Sequence, residues 1–436
     1  MTSARSLFRT WLPTALGSSM LVVEIPVVAA SVARSTSGAA ALAAFGICIA
    51  VVVVVNTPAL ALTPLVVAED GRRPRAQVWR LTVWVGVLGT TALLTTVFGP
   101  VFDPLSAFLD LPEELRSQVR GGLLGLAVAS FAVAVRRYQH GRLIVNQRTQ
   151  AITSATLVRI ALSGTLAWLM LLQQPGWGAL GGGLALSAGA FTEAAVLAHA
   201  LRALPEAPTP VEIADRAAPH GRAGIIRVHL RLSGARLLNM APQLVTTVGI
   251  ARSQEATPSL VVWPVLYGML SLLTGPTMDL ESVTAAGLGR SRDDPAPRVL
   301  TWWLAIGFLS LFAIVLASPL HRIYLQDLMA VPAGEVDLGL RWVVLLLPVP
   351  TLWVVRSYLR GVTLADGVTE WMTRAVVTHA AVLTALVVLL ALSPLPGIGT
   401  ACIGLLGGIL AEVCVLACGV RSVQDRRQEA SNHRGP

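Results

Sequence analysis

The sequence predicts an all-α polytopic membrane protein of about twelve transmembrane helices, built as two pseudo-symmetric six-helix bundles. Three observations predict it. Of the 436 residues, 54% are hydrophobic and only 13% charged, with a mean hydropathy of +0.68. An ordinary soluble domain is about 25% charged, so too little charge is present for a water-facing surface of this size. Apolar stretches able to cross about 30 Å of hydrocarbon recur along the whole chain. Finally, one pattern occurs twice, at an offset of 218 (276 − 58).

The duplication is carried by short motifs in a fixed order. Asn56-Thr57-Pro58 recurs as Thr274-Gly275-Pro276. Val135-Arg136-Arg137-Tyr138 with Gly141 recurs as Val355-Arg356-Ser357-Tyr358 with Gly361. Glu193, followed by Val196, Leu197, Ala198 and Arg202, recurs as Glu412, followed by Val415, Leu416, Ala417 and Arg421. Two copied halves in a membrane protein imply two bundles that move against each other around a central site.

The spans follow in order. The first, 7–33, has Arg5 and Arg9 before it, as a signal peptide would. Its apolar run is too long for one, and its copy around Pro242 is internal, so it is read as a retained span. Spans two to six are 39–68, 76–98, 119–145, 151–172 and 176–200. The second set is 224–251, 257–288, 299–317, 338–362, 368–391 and 397–420. Domain boundaries follow: an N-terminal six-helix lobe at 1–203, a cytoplasmic linker at 204–222 rich in Pro, Ala and charge, a C-terminal six-helix lobe at 223–424, and a polar, disordered cytoplasmic tail at 425–436.

Charge sets the expected orientation. Every basic residue except histidine is Arg; the chain has no Lys. Arginines follow spans two, four, six, eight and twelve, as in Arg72, Arg73, Arg75, Arg148, Arg202, Arg290 and Arg426. The alternate loops are neutral or acidic, with Asp103, Asp110, Glu113, Asp327, Glu335 and Asp337. Both termini are therefore expected in the cytoplasm, and the lobes, each with an even number of spans, to share one orientation. The net charge of +9 is read as topology. Arginines scattered over many loops do not make a nucleic-acid footprint.

Several functions lack their residues. A P-loop requires a Lys. There is no His-Glu-x-x-His pair and no Gly-x-Ser-x-Gly elbow, so no enzyme chemistry is expected, and no cofactor or metal. Cys48, Cys402, Cys414 and Cys418 all fall inside spans and read as small packing residues.

Polar residues inside the membrane carry the functional signal, because a charge at mid-bilayer costs roughly 2.5–3.5 kcal/mol on insertion scales. Glu193 and Glu412 are copies, and Arg159 and Arg374 are approximate copies. They read as structural ion pairs, Glu193 with Arg159 and Glu412 with Arg374. Glu24 has no acidic copy and lies two residues before Pro26. A carboxyl beside a helix bend suits a site that binds H⁺ or Na⁺, or alternatively a neutral hydrogen-bonded Glu. Arg236 also lacks a copy; its counterpart is near Ser18. His229, Ser233, Arg236, Asn239, Gln243 and Thr246 share one helix face, which is expected to line a water-filled cavity. The alternative is an Arg236 paired with a carboxylate on a neighbouring span. Tyr267, on span eight, offers a second wall. Pro26, Pro58, Pro276 and Pro350 are candidate hinge positions.

The chain also resembles a family. Leu12-Pro13, Leu42-Ala43-Ala44-Phe45-Gly46 with Pro58, Tyr267 to Glu281, Pro348-Val349-Pro350 with Arg356 and Gly361, and Gly404 to Glu412 are similar to stretches of the progressive ankylosis protein branch. That branch lies within the multidrug and toxic compound extrusion (MATE) superfamily, which also holds lipid-linked precursor flippases. The resemblance implies a V-shaped, two-lobed transporter working by alternating access. It implies coupling by an acidic residue on the first span, for which Glu24 is the match, and, for this branch, export of small anions. The absence of Lys and the short tail depart from the branch.

The expected function is a secondary-active exporter of a small organic or phosphorylated, anionic solute in the plasma (inner) membrane, held by the lipid bilayer and coupled to H⁺ or Na⁺. Rivals are a lipid-linked precursor flippase, a cation or drug antiporter and, from another class, a non-transporting membrane scaffold.

Overall fold

The structure is a computed structural model that describes residues 4–69, 74–146, 148–202, 222–290, 294–366 and 368–432. It is almost wholly helical. The first half holds α1 (Ala4–Val32), α2 (Gly38–Val55), α3 (Thr57–Leu60), α4 (Leu62–Glu69), α5 (Arg75–Phe98), α6 (Phe102–Phe108), α7 (Glu113–Ala127), α8 (Ala129–Val145), α9 (Thr149–Gln173) and α10 (Ala179–Arg202). The second holds α11 (Arg222–Ala251), α12 (Ala256–Thr274), α13 (Leu280–Arg290), α14 (Ala296–Ala317), α15 (Ala333–Val343), α16 (Val349–Ala365), α17 (Thr369–Ala391) and α18 (Gly397–Asn432).

Each expected span falls on one to three consecutive helices, the second, 39–68, on α2, α3 and α4. Among the described residues, ten helical stretches are long and apolar enough to cross a membrane. The other two expected spans are α1, whose apolar stretch is the shorter Val22–Val32, and α11, which Arg227, His229, Arg231 and Arg236 make polar.

Proline marks the breaks. The second span of the first half stops at Asn56 and restarts with Pro58 in the first turn of α3. In the second half α12 gives way to a 3-10 turn, Gly275–Asp279, that contains Pro276. The indole N–H of Trp11 donates to the Pro276 carbonyl at 3.1 Å. Pro350 lies in the first turn of α16, after a 3-10 turn at Val344–Leu346. Pro26 differs: it is buried inside α1, which continues unbroken on both sides.

The repeat is visible in close packing. A Cβ on Gly141 would lie 2.6 Å from Val66 Cβ, and one on Gly361 would lie 2.6 Å from Thr284 Cβ. The partners are offset alike, by 220 (361 − 141) and 218 (284 − 66). Glycine lets two backbones meet at both places.

By contacts the helices form two compact units. One comprises Glu24–Ala251; the other comprises Met1–Val23 with Arg252–Pro436. The unit Glu24–Ala251 thus takes in α11, whose Ile225, Val228 and Leu232 pack with Leu62, Val66, Ala134 and Tyr138. In the other unit the start of α1 contributes Leu7, Trp11 and Ala15 to a core with Leu280, Leu300 and Val354. The expected linker, 204–222, lies outside the described residues except for Arg222.

The tail at 425–436, expected to be disordered, continues as helix to Asn432. The stretch Arg421–Asn432 contains no Gly or Pro to stop it, and its Arg, Gln, Glu and Ala favour helix.

Candidate functional site

The unit Glu24–Ala251 is organised around Glu193, fully buried in α10. Its Oε2 accepts from the guanidiniums of Arg136 on α8 and Arg159 on α9, the second at 3.0 Å. Its Oε1 lies 3.0 Å from His140 Nε2 and accepts from the Thr156 hydroxyl at 3.2 Å. Arg136 and His140 stand one turn apart on α8, and Thr156 and Arg159 nearly one turn apart on α9, so two helix faces deliver four groups to one carboxylate.

Arg159 also serves a second carboxylate. Its Nε donates to Glu24 Oε1 at 2.8 Å, and its Nη2 meets Glu24 Oε2. The Ser163 hydroxyl donates to the same Oε1 at 2.9 Å. Glu24, only 2% exposed, is therefore enclosed by an arginine fork and a serine hydroxyl.

The second unit repeats the plan with two members exchanged. Glu412 Oε1 accepts from Arg356 Nε at 2.7 Å and Arg360 Nη1 at 3.4 Å. His379 Nδ1 lies 3.2 Å from Glu412 Oε2, within ion-pair reach but off hydrogen-bond geometry. Arg360 Nε donates to Glu281 at 2.9 Å. Arg136 corresponds to Arg356, His140 to Arg360 and Arg159 to His379, each at an offset of 220 (356 − 136, 360 − 140 and 379 − 159). Packing supports the last match: Gly189 sits against Arg159 and Ser163 as Gly408 does against His379 and Leu383.

Arginine stands at whichever of the exchanged positions has an extra carboxylate beside it. In the first unit that is Arg159, beside Glu24; in the second it is Arg360, beside Glu281. Each cage holds two carboxylates and two guanidiniums, with one histidine beside them.

The expected pair of Glu412 with Arg374 is corrected. Arg374 binds Glu370, one turn away on the exposed start of α17, and stacks over Trp371 at 5.0 Å. Its offset from Arg159, 215 (374 − 159), departs from the repeat by five residues, more than a helical turn. The members not singled out from sequence are His140, Thr156, Ser163, His379 and Arg360, with Arg136 and Arg356 read only as repeat markers. A strict offset of 220 applied to residues near Glu193 and Glu412 was the available signal.

The polar face of α11 does not share one environment. His229 and Thr246 are buried, as is Ser233 at the margin; Gln243 is half-buried; Arg236 and Asn239 are exposed. The ends of this face are buried and its middle is exposed. Ser233 Oγ lies 3.5 Å from His229 Nε2. Among the described residues no carboxylate is within ion-pair distance of Arg236, so the alternative of a paired Arg236 is not met. Tyr267 belongs to the other unit, half-buried, its ring 5.7 Å from that of Trp263.

Solved structures with this arrangement of helices are transporters. A multidrug resistance MATE family transporter of the MOP superfamily, in an inward-facing conformation, superposes with a TM-score of 0.71 at 16% identity, over 94% of this chain and 99% of that one. The chain has the MATE fold. The lipid II flippase MurJ, in an inward closed conformation, shares the MATE fold with a TM-score of 0.73 at 11% identity, over 94% of this chain and 87% of that one. A MOP superfamily transporter from Pyrococcus furiosus, described as having a binding pocket of reverse polarity, gives a TM-score of 0.65 at 14% identity, over 97% and 96%. No family model matches the chain, and no curated protein does. The finer likeness to the progressive ankylosis branch rests on sequence motifs alone.

Proposed function

We propose that the protein is a secondary-active transporter that exports a small organic or phosphorylated anionic solute by alternating access. The observation that carries this reading is Arg236, an exposed guanidinium midway along α11 with no ion-pair partner among the described residues. An unpaired cation in a membrane helix is expensive unless it meets water or an anion. It also disfavours a cationic drug as cargo. Asn239 and Gln243, on the same helix face, supply hydrogen bonds to the solute, with Ser233 one turn before Arg236 on that face.

Coupling is assigned to Glu24. A proton or Na⁺ arriving there competes with Arg159, which already holds Glu193 as a second partner. Binding then gives up the Glu24 pair, while Arg159 keeps Glu193 as its remaining partner. Pro26, Pro58, Pro276 and Pro350 are the proposed bending points. The plasma (inner) membrane, with both termini cytoplasmic, is the proposed location.

A second reading is a lipid-linked precursor flippase. It draws support from the likeness to MurJ and from an apolar groove lined by Val87, Val128, Phe131 and Phe191. Uptake into proteoliposomes separates the readings, using labelled anions, labelled cations and a lipid-linked sugar, each with and without a pH gradient. Transport of a soluble anion, accelerated by the gradient, is expected. Movement of the lipid-linked sugar alone favours the flippase, and movement of cations alone overturns the anion reading.

A further inference from the structure

The partners of Glu24 discriminate between H⁺ and Na⁺. We infer that Arg159 makes this site selective for the proton, because its guanidinium occupies the place a metal ion would need; the inference rests on the coupling role given to Glu24 above. Each carboxylate oxygen already has a partner. Glu24 Oε1 accepts from Arg159 Nε at 2.8 Å and from the Ser163 hydroxyl at 2.9 Å, and Oε2 meets Arg159 Nη2. Glu193 Oε2 accepts from Arg136 and Arg159, and its Oε1 meets the Thr156 hydroxyl and His140 Nε2. The groups that face this site are thus Thr156, Arg159 and Ser163 on α9, Glu193 on α10, and Arg136 and His140 on α8.

A carboxylate offers about four lone-pair positions on its two oxygens. Four partners fill those of Glu193, and three contacts leave Glu24 one position, on Oε2. One position suffices for a proton. A hard metal ion gathers about six oxygen ligands. Among the described residues, the uncharged oxygens in contact with the two carboxylates are the hydroxyls of Ser163 and Thr156, each already bonded to a carboxylate. Glu24 is 2% exposed and Glu193 0%, so water supplies little of such a shell. A metal ion completes its shell at Glu24 only by displacing the guanidinium.

Charge acts in the same direction. Arginine does not deprotonate in proteins, so Arg136 and Arg159 are fixed positive charges. A metal ion at Glu24 keeps both its charge and its radius beside the guanidinium, and like charges at close range in a buried site repel. A proton becomes part of the carboxyl O–H bond, and Arg159 keeps its contact with Glu193 at 3.0 Å. The second unit keeps neither half of this arrangement: His379 stands for Arg159 (379 − 159 = 220) and Pro242 for Glu24 (242 − 24 = 218). The fold itself therefore does not require the guanidinium at this place.

The test follows two probes on the full chain in nanodiscs: binding of labelled Na⁺, and the infrared band of a protonated carboxyl group as the pH is lowered from neutral. Parent, Glu24→Gln and Arg159→Gln are compared. The parent is expected to gain a carboxyl band that Glu24→Gln lacks and that added NaCl does not remove. It is expected to bind no more Na⁺ than Glu24→Gln does. Arg159→Gln is expected to bind Na⁺ at least about tenfold more tightly than the parent, as relief of a close repulsion does. Na⁺ binding by the parent that is lost in Glu24→Gln overturns proton selectivity and leaves coupling at Glu24 in place. A carboxyl band unchanged in Glu24→Gln, with no Na⁺ binding that depends on Glu24, overturns the coupling role itself. A folded Arg159→Gln with parental Na⁺ affinity overturns Arg159 as the cause. Should that variant not fold, the parent and Glu24→Gln are read alone, and Na⁺ binding that depends on Glu24 overturns the inference.

Discussion

His379 holds in the second repeat the place that Arg159 holds in the first, each packed beside a glycine one turn before the buried glutamate of its unit. The exchange follows charge. Arg159 has Glu24 as a further partner, whereas the position 218 residues after Glu24 is Pro242. A guanidinium at position 379 would lack that further carboxylate, and a buried unpaired charge is disfavoured.

This exchange predicts a rescue. Arg159→His leaves Glu24 buried without its fork and is expected to lower the thermal melting temperature of the detergent-solubilised protein. Adding Glu24→Gln removes the orphaned charge and restores most of the loss. A double variant no more stable than Arg159→His alone would show that Glu24 does not depend on Arg159.

The second cage predicts which partner of Glu412 matters. Glu412→Gln leaves Arg356 without its carboxylate, a loss of about 3–5 kcal/mol when such a pair is broken in a protein interior and somewhat less here, since Arg356 is 26% exposed. Arg356→Met in the same chain is expected to recover much of the folded yield, and Arg374→Met none. Fluorescence-detected size exclusion on all four chains reads the difference; equal recovery by both second changes would contradict the assignment.

Helix contact predicts unequal glycines. Gly361→Ala drives a methyl to 2.6 Å from Thr284 Cβ and 2.7 Å from the Glu281 carbonyl oxygen, where backbone cannot yield cheaply. Overpacking of this kind costs about 1–3 kcal/mol. Gly307→Ala, in α14 with nothing within 4 Å of the new methyl, is expected to be neutral or stabilising by up to about 1 kcal/mol. Melting curves of the two variants check the order.

The legible part of this molecule was whatever follows from one-dimensional pattern. Hydropathy marked the helices because the membrane demands long apolar runs, and proline marked the breaks at Pro58 and Pro276 because it removes a backbone donor. Glu193 and Glu412 stood out because buried carboxylates are rare. Their partners were harder to see, since an ion pair depends on which faces of three helices meet. Arg374 was an attractive partner for Glu412 only by residue type; five residues out of register put it at the exposed end of α17. The packing of α11 with α3 and α4 was not legible, because apolar contacts between helices carry no partner-specific signal.

The coupling role of Glu24 predicts a change in driving force rather than in binding. Glu24→Gln, with Arg159 still held by Glu193, is expected to transport at a rate that no longer rises with an imposed pH or Na⁺ gradient. A full response to both gradients in the folded variant would place coupling elsewhere.

The most direct test of the central claim is solute uptake by Arg236→Ala, measured beside Arg374→Ala in proteoliposomes of equal protein content. Both substitutions remove one arginine, but only Arg236 lacks a carboxylate partner among the described residues. The prediction is that Arg236→Ala loses at least about tenfold of the transport of an anionic solute, consistent with removal of one charge-assisted contact, while Arg374→Ala transports like the parent. Anion transport by Arg236→Ala at the parental rate would contradict it.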